Sequence, residues 1–88
     1  MKNKSLPTPN AAGHVPAVAY ARASLARKLI RRRWGVGLSQ AELARRSGIR
    51  PETLNRIEKG KTTPDTATVE KIVRVLERVE AAELKRQR

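Results

Sequence analysis

The 88-residue chain has no cysteine and no phenylalanine, and only one tryptophan, one tyrosine and one histidine. Without cysteine there is neither a disulfide framework nor a thiolate metal site. His14 alone cannot anchor a zinc site of imidazoles and carboxylates. Two aromatics make no stacking platform for single-stranded nucleic acid. No apolar run approaches the roughly 18 residues of a membrane helix. The leading "MKNKSLPTPNAAG" has the positive end of a signal peptide but no apolar stretch behind it. The expectation is a protein of a reducing compartment, the cytoplasm, with no cofactor, no metal and no membrane partner. A Ser-His-Asp set spelled from Ser39, His14 and Asp65 would rest on a histidine that nothing orients, and no glycine-rich phosphate loop follows a strand. Catalysis is not expected.

Negative charge is scarce too. Eight Asp and Glu stand against twenty Lys and Arg, a net of +12. The excess is uneven. Residues 22–61 hold twelve basic and three acidic side chains, a net of +9. Residues 62–88 hold six and five, a net of +1. So strong a field on one portion favours a polyanionic partner.

What is present reads as helix. Residues 1–16, with Pro7, Pro9, Pro16 and Gly13, show no apolar period and are expected to be a disordered tail. From Ala17 the chain is rich in alanine and arginine, both good helix formers. Leu25, Ala26, Leu29 and Ile30 recur at spacings of three and four, and Gly35 and Gly37 supply a stop. In the run Arg31-Arg32-Arg33, one arginine is expected to face inward and two to be solvated. Trp34 is expected to cover the core. Ser39 opens a second helix, with Glu42 as its reciprocal capping partner, and Gly48 closes it. Pro51 fits the first turn of a third helix, where its missing N–H costs nothing; Leu54 and Ile57 are its apolar pair and Gly60 its end. Asp65 or Thr66 caps a fourth helix with Val69, Ile72, Val73, Leu76 and Val79 as its stripe. The stripe thins beyond Val79, so residues 80–88 are expected to fray as an extension of a 17–79 domain. No strand is expected.

Two short helices joined by about four residues, the first ending in glycine, make a helix-turn-helix. Counting Gln40 as the first position, Ala44 is the fifth, where a methyl group fits against a crossing helix. Gly48 is the ninth, in the turn, where positive φ is needed. Leu54 and Ile57, fifteenth and eighteenth, anchor the third helix.

The segment "LSQAELARRSGIRPETLNRIEKGKTTPD" resembles the Xre/Cro family of phage-repressor-like DNA-binding domains, over roughly residues 22–79. The resemblance implies an all-α, lambda-repressor-like domain of four helices, whose third helix enters the DNA major groove. The family often carries a fifth helix, for which the tail leaves little length. By resemblance, Gln40 holds a phosphate, the positions of Pro51, Glu52 and Arg56 touch base edges, and Arg33 pairs with Glu58. Pro51 departs from the pattern, because it has no donor with which to read a base.

Chemistry supports these positions. Arginine can fork to guanine O6 and N7, and glutamate can accept from cytosine N4. Glu52 and Arg56, four residues apart, could equally form an ion pair in the free protein. Ser39 and Gln40 sit at the electropositive start of a helix, which suits an oxyanion. Arg50, Thr53 and Asn55 flank the reading positions, and Lys59, Lys61 and Thr62, with the Thr63 hydroxyl, are candidates for the phosphate backbone.

The function expected is a double-stranded DNA-binding transcriptional regulator, a repressor acting as a homodimer, with Val75 and Leu84 on the fourth helix as the candidate dimer surface. An alternative resembles antitoxins of the HigA kind, which bind a small toxin and repress their own operon. A third reading is a protein-interaction module that uses the fold without DNA. No small-molecule effector is indicated.

Overall fold

Alanine and arginine carry helix α1 through Ala17–Gly35 without a β-branched run to oppose it. Its stop is a left-handed Gly37, φ 72°. Helix α2 spans Gln40–Ser47, α3 Pro51–Glu58 and α4 Thr66–Arg86. The computed structural model describes residues 17–87, among which there is no strand. The expected disordered tail, residues 1–16, lies outside the described residues.

Helices α2 and α4 each begin with a side-chain cap, and α3 with Pro51 in its first turn. The Ser39 hydroxyl accepts the Glu42 N–H at 3.0 Å, and Asp65, not Thr66, caps α4 by accepting the Thr68 N–H at 2.7 Å. These bonds answer donors that a helix start leaves unsatisfied. The reciprocal half of the expected box at Ser39 is not formed. The Glu42 carboxylate turns forward to Arg45 and, at 2.7 Å, to Arg46. Two guanidiniums one turn ahead outbid a single neutral N–H, because charge-assisted bonds are the stronger ones. They also hold the Glu42 carboxyl down at about 2.

Helix α3 packs on both α1 and α2, and α4 packs on α2. Leu29, Leu43, Ala44, Leu54, Ile57, Ile72, Val75 and Leu76 form one buried cluster, covered by Leu25, Val36, Leu38, Ile49 and Val79. Burying each leucine or isoleucine contributes on the order of 1.5–3 kcal/mol. The cluster contains no aromatic ring.

Three expectations change here. Val75 is buried at 7% exposure, not on an outer surface. It flanks the α4 stripe on the helix surface, and α2 packing against α4 widens the buried face beyond a single row of side chains. Trp34 does not cover the core; it is 57% exposed, and the smaller Val36 and Leu38 after it pack inward instead. Arg32, expected in solvent, is held by Glu80 of α4 through Nε at 2.9 Å and Nη2 at 2.8 Å. That contact pins α4 to α1, and α4 continues unbroken past it to Arg86.

Candidate nucleic-acid interface

The turn between α2 and α3 is set by Gly48. Its φ of 71° is left-handed, a conformation that a side chain makes costly. Around it the Gly48 N–H reaches Arg45 O at 3.2 Å and the Ile49 N–H reaches Ala44 O at 3.0 Å. These bonds consume carbonyls that the end of α2 would otherwise leave open. Ile49 packs against the core. Arg50 is extended, and Pro51 opens α3. The three residues 48–50 thus turn the chain from α2 into α3, and Leu54 and Ile57 fix the inner side of α3 in the core.

Glu58 locks the orientation of α3. It is 3% exposed, and three donors converge on its carboxylate: Arg33 Nε at 2.8 Å, Arg33 Nη2 at 2.9 Å and Gln40 Nε2 at 2.9 Å. Arg33 Nη1 also donates to the Leu38 carbonyl at 3.0 Å. One carboxylate therefore joins the end of α1, the start of α2 and the end of α3. The Gln40 amide nitrogen is committed inward by one of its two N–H bonds. Its second N–H remains for another acceptor.

The outer side of α3 is open. Pro51, Glu52 and Arg56 are exposed, and Thr53 and Asn55 half-buried. Glu52 and Arg56 do not pair: among the described residues neither takes part in an ion pair. Around them lie exposed Ser39, Arg50, Lys59 and Lys61 and half-buried Thr62. The α3–α4 loop starts at left-handed Gly60, φ 70°, which rests against the backbone of Arg22 and Ala23.

That approach brings in a further residue, Arg22 of α1. Arg22 Nε donates to Thr63 Oγ1 at 2.7 Å, which sets an α1 guanidinium beside Lys61 and Thr62. No local signal announces a partner 41 residues away; only the packing of α1 on α3 does.

A family description, Helix-turn-helix, matches residues 28–84, well over half of the chain. The chain belongs to this family, of the Xre and lambda-repressor-like kind. Helix-turn-helix membership and the all-α fold together make it a DNA-binding transcription regulator, with double-stranded DNA as its partner. The matched stretch runs from the middle of α1 to the last turns of α4, so it takes in the whole Arg33–Gln40–Glu58 lock. Comparison with curated proteins finds no significant match, and comparison with solved structures finds none either. No helix among the described residues is long and apolar enough to cross a membrane.

Proposed function

We propose that this helix-turn-helix protein is a sequence-specific repressor that lays α3 in the major groove of a duplex operator. The observation that carries the reading is that Glu52 and Arg56 face outward, unpaired among the described residues, on a helix fixed from behind by Glu58. Arg56 reads guanine and Glu52 reads cytosine. Pro51 starts the helix and offers only van der Waals contact, which suits a thymine methyl. Ser39, the second N–H of Gln40, Arg50, Lys59, Lys61, Thr62 and Arg22 hold phosphates, which set register without reading sequence. Thr53 and Asn55 flank the base contacts. One such helix reads few base pairs, so the operator is a palindrome bound by a homodimer, with half-sites roughly 34 Å apart. Leu84, 65% exposed on α4, is the remaining candidate for the dimer contact now that Val75 lies in the core.

The test is selection of bound duplexes from a random pool, followed by a salt series and the Arg56→Ala variant. The reading expects a palindrome and a linear fall of log affinity with log salt. Arg56→Ala should weaken binding by about 1–3 kcal/mol and relax preference at one base. An equal loss on all sequences would reduce Arg56 to a phosphate contact, and salt-independent binding would remove DNA as the partner.

A second reading keeps the DNA contact and adds a small toxin, as in antitoxins that repress their own operon. It requires a protein-binding surface apart from α3, and the outer side of α1 favours it. Co-purification from the native host distinguishes the two, since an antitoxin brings its toxin with it.

A further inference from the structure

The chain has one tryptophan and one tyrosine, and neither is in the core. Trp34 is 57% and Tyr20 43% exposed, both on α1. Their positions are not independent. Tyr20, Ser24, Arg27, Arg31 and Trp34 follow one another at spacings of four, three, four and three. At 100° per residue they all fall within about 40° of the direction opposite Leu29. Leu29 is buried at 2%. The side of α1 that carries Ala26, Leu29 and Arg33 meets the core and α3, so this row faces away from the reading helix. It spans about 21 Å from ring to ring.

The row is uncompensated. Helix α1 contains no acidic residue. Glu58 and Glu80 neutralise Arg33 and Arg32, but among the described residues Arg27, Lys28 and Arg31 pair with nothing. Together with Ser24 they lie on one open stretch of the helix surface. Tryptophan, tyrosine and arginine are the residue types most enriched at the energetic centres of protein interfaces, and here they are collected on one helix face while the core does without any ring.

We infer that this outer face of α1 docks an acidic helix of a partner protein, with carboxylates one turn apart against Arg27 and Arg31 and apolar side chains over Tyr20 and Trp34. Helix-to-helix docking suits the spacing, because three-and-four alternation is the seam along which two helices stay in register. Charge excludes two other occupants. The same face of a second copy would set three cations against three. The chain's own first 16 residues carry Lys2 and Lys4 and no acid. A duplex on α3 lies on the other side, and exposed rings at both ends of the row match an apolar contact, not phosphates. The inference does not depend on whether α3 reads DNA.

The face contains its own reporter, since Trp34 is the only tryptophan. Binders are selected against the full chain from a displayed library of helical peptides. The expected winners carry paired carboxylates one turn apart, flanked by apolar residues. They shift Trp34 emission to the blue and lose at least tenfold in affinity for Arg27→Gln/Arg31→Gln. That variant keeps the parent far-UV circular dichroism and, on the selected operator, a DNA affinity within about threefold of the parent. Lysine-substituted winners should in turn bind Arg27→Glu/Arg31→Glu. No enrichment, winners without acidic residues, or equal binding to the glutamine variant would overturn the assignment. So would a duplex that shifts Trp34 emission and is lost with the same variant, which would make the face a nucleic-acid surface.

Discussion

Arg32 and Arg33 are neighbours on α1, and each grips a glutamate with the same two nitrogens at the same pair of lengths, 2.8 and 2.9 Å. Their surroundings differ. The side chains of Arg33 and Glu58 are 11% and 4% exposed, those of Arg32 and Glu80 34% and 36%. Glu58 receives a further donor from Gln40, and Arg33 gives a further hydrogen to Leu38; among the described residues Arg32 and Glu80 hydrogen-bond through their side chains only to each other. Identical bond geometry therefore describes two different devices. In the open pair, water competes for both charges and screening is strong. In the enclosed pair, neither charge can return to water if its partner is lost. Distance says that a contact exists, and enclosure says what its loss costs.

The largest effect should follow from orphaning the enclosed pair. Glu58→Ala or Arg33→Ala is expected to cost about 3–5 kcal/mol in urea unfolding, and to loosen Gln40 in the glutamate case. The joint change Arg33→Met/Glu58→Leu should cost far less than either single change, because no charge is stranded. Equal losses in the double and single variants would show that attraction across the pair, and not the penalty of an unpaired charge, dominates. Next in size is the open pair. Arg32→Ala or Glu80→Ala should cost about 0.2–1 kcal/mol, shrinking further at high salt, where the Arg33–Glu58 effect persists.

Acid separates the exposed carboxylates. Hydrogen bonds from Arg45 and Arg46 lower the Glu42 pKa from 4.5 to about 2, and the bond from Arg32 lowers that of Glu80. A depressed carboxyl contributes stability that is fully present above its unfolded pKa and lost as pH falls through the folded one. The stability difference between the parent and Glu42→Gln should therefore be complete above pH 4.5 and fade toward pH 2, read from thermal melts across that range. The smallest effect belongs to Ser47, whose buried hydroxyl has no hydrogen-bond partner among the described residues. It is the opposite of Glu58, an enclosed polar group that nothing answers. Ser47→Ala should leave stability unchanged or raise it by about 0.5 kcal/mol.

Most of the architecture was legible in the sequence because its punctuation is local. A serine or aspartate cap, a proline at a first turn and a glycine at a left-handed stop each act within one turn of helix, so Ser39, Gly48, Pro51, Gly60 and Asp65 stood out before any packing was known. What escaped were consequences of distant elements meeting. The Arg32–Glu80 and Arg22–Thr63 contacts cross 48 and 41 residues. Val75 is buried by its relation to α2, and the Gln40 amide turns inward because Glu58 arrives beside it. Glu42 failed for a different reason: a capping rule weighs a side chain against the backbone, and two nearby arginines changed the competition. In the candidate interface, the outward positions of Pro51, Glu52 and Arg56 were implied by the family resemblance, while Arg22 required the fold.

The aliphatic composition of the buried cluster has a practical corollary. With no ring inside, melting alters the ultraviolet signal only through the partial cover that Trp34 and Tyr20 lose, being 57% and 43% exposed in the fold. An optical assay built on those chromophores would register visitors to the outer side of α1 directly and the loss of the interior only at second hand, so a backbone-sensitive signal is the better measure of unfolding.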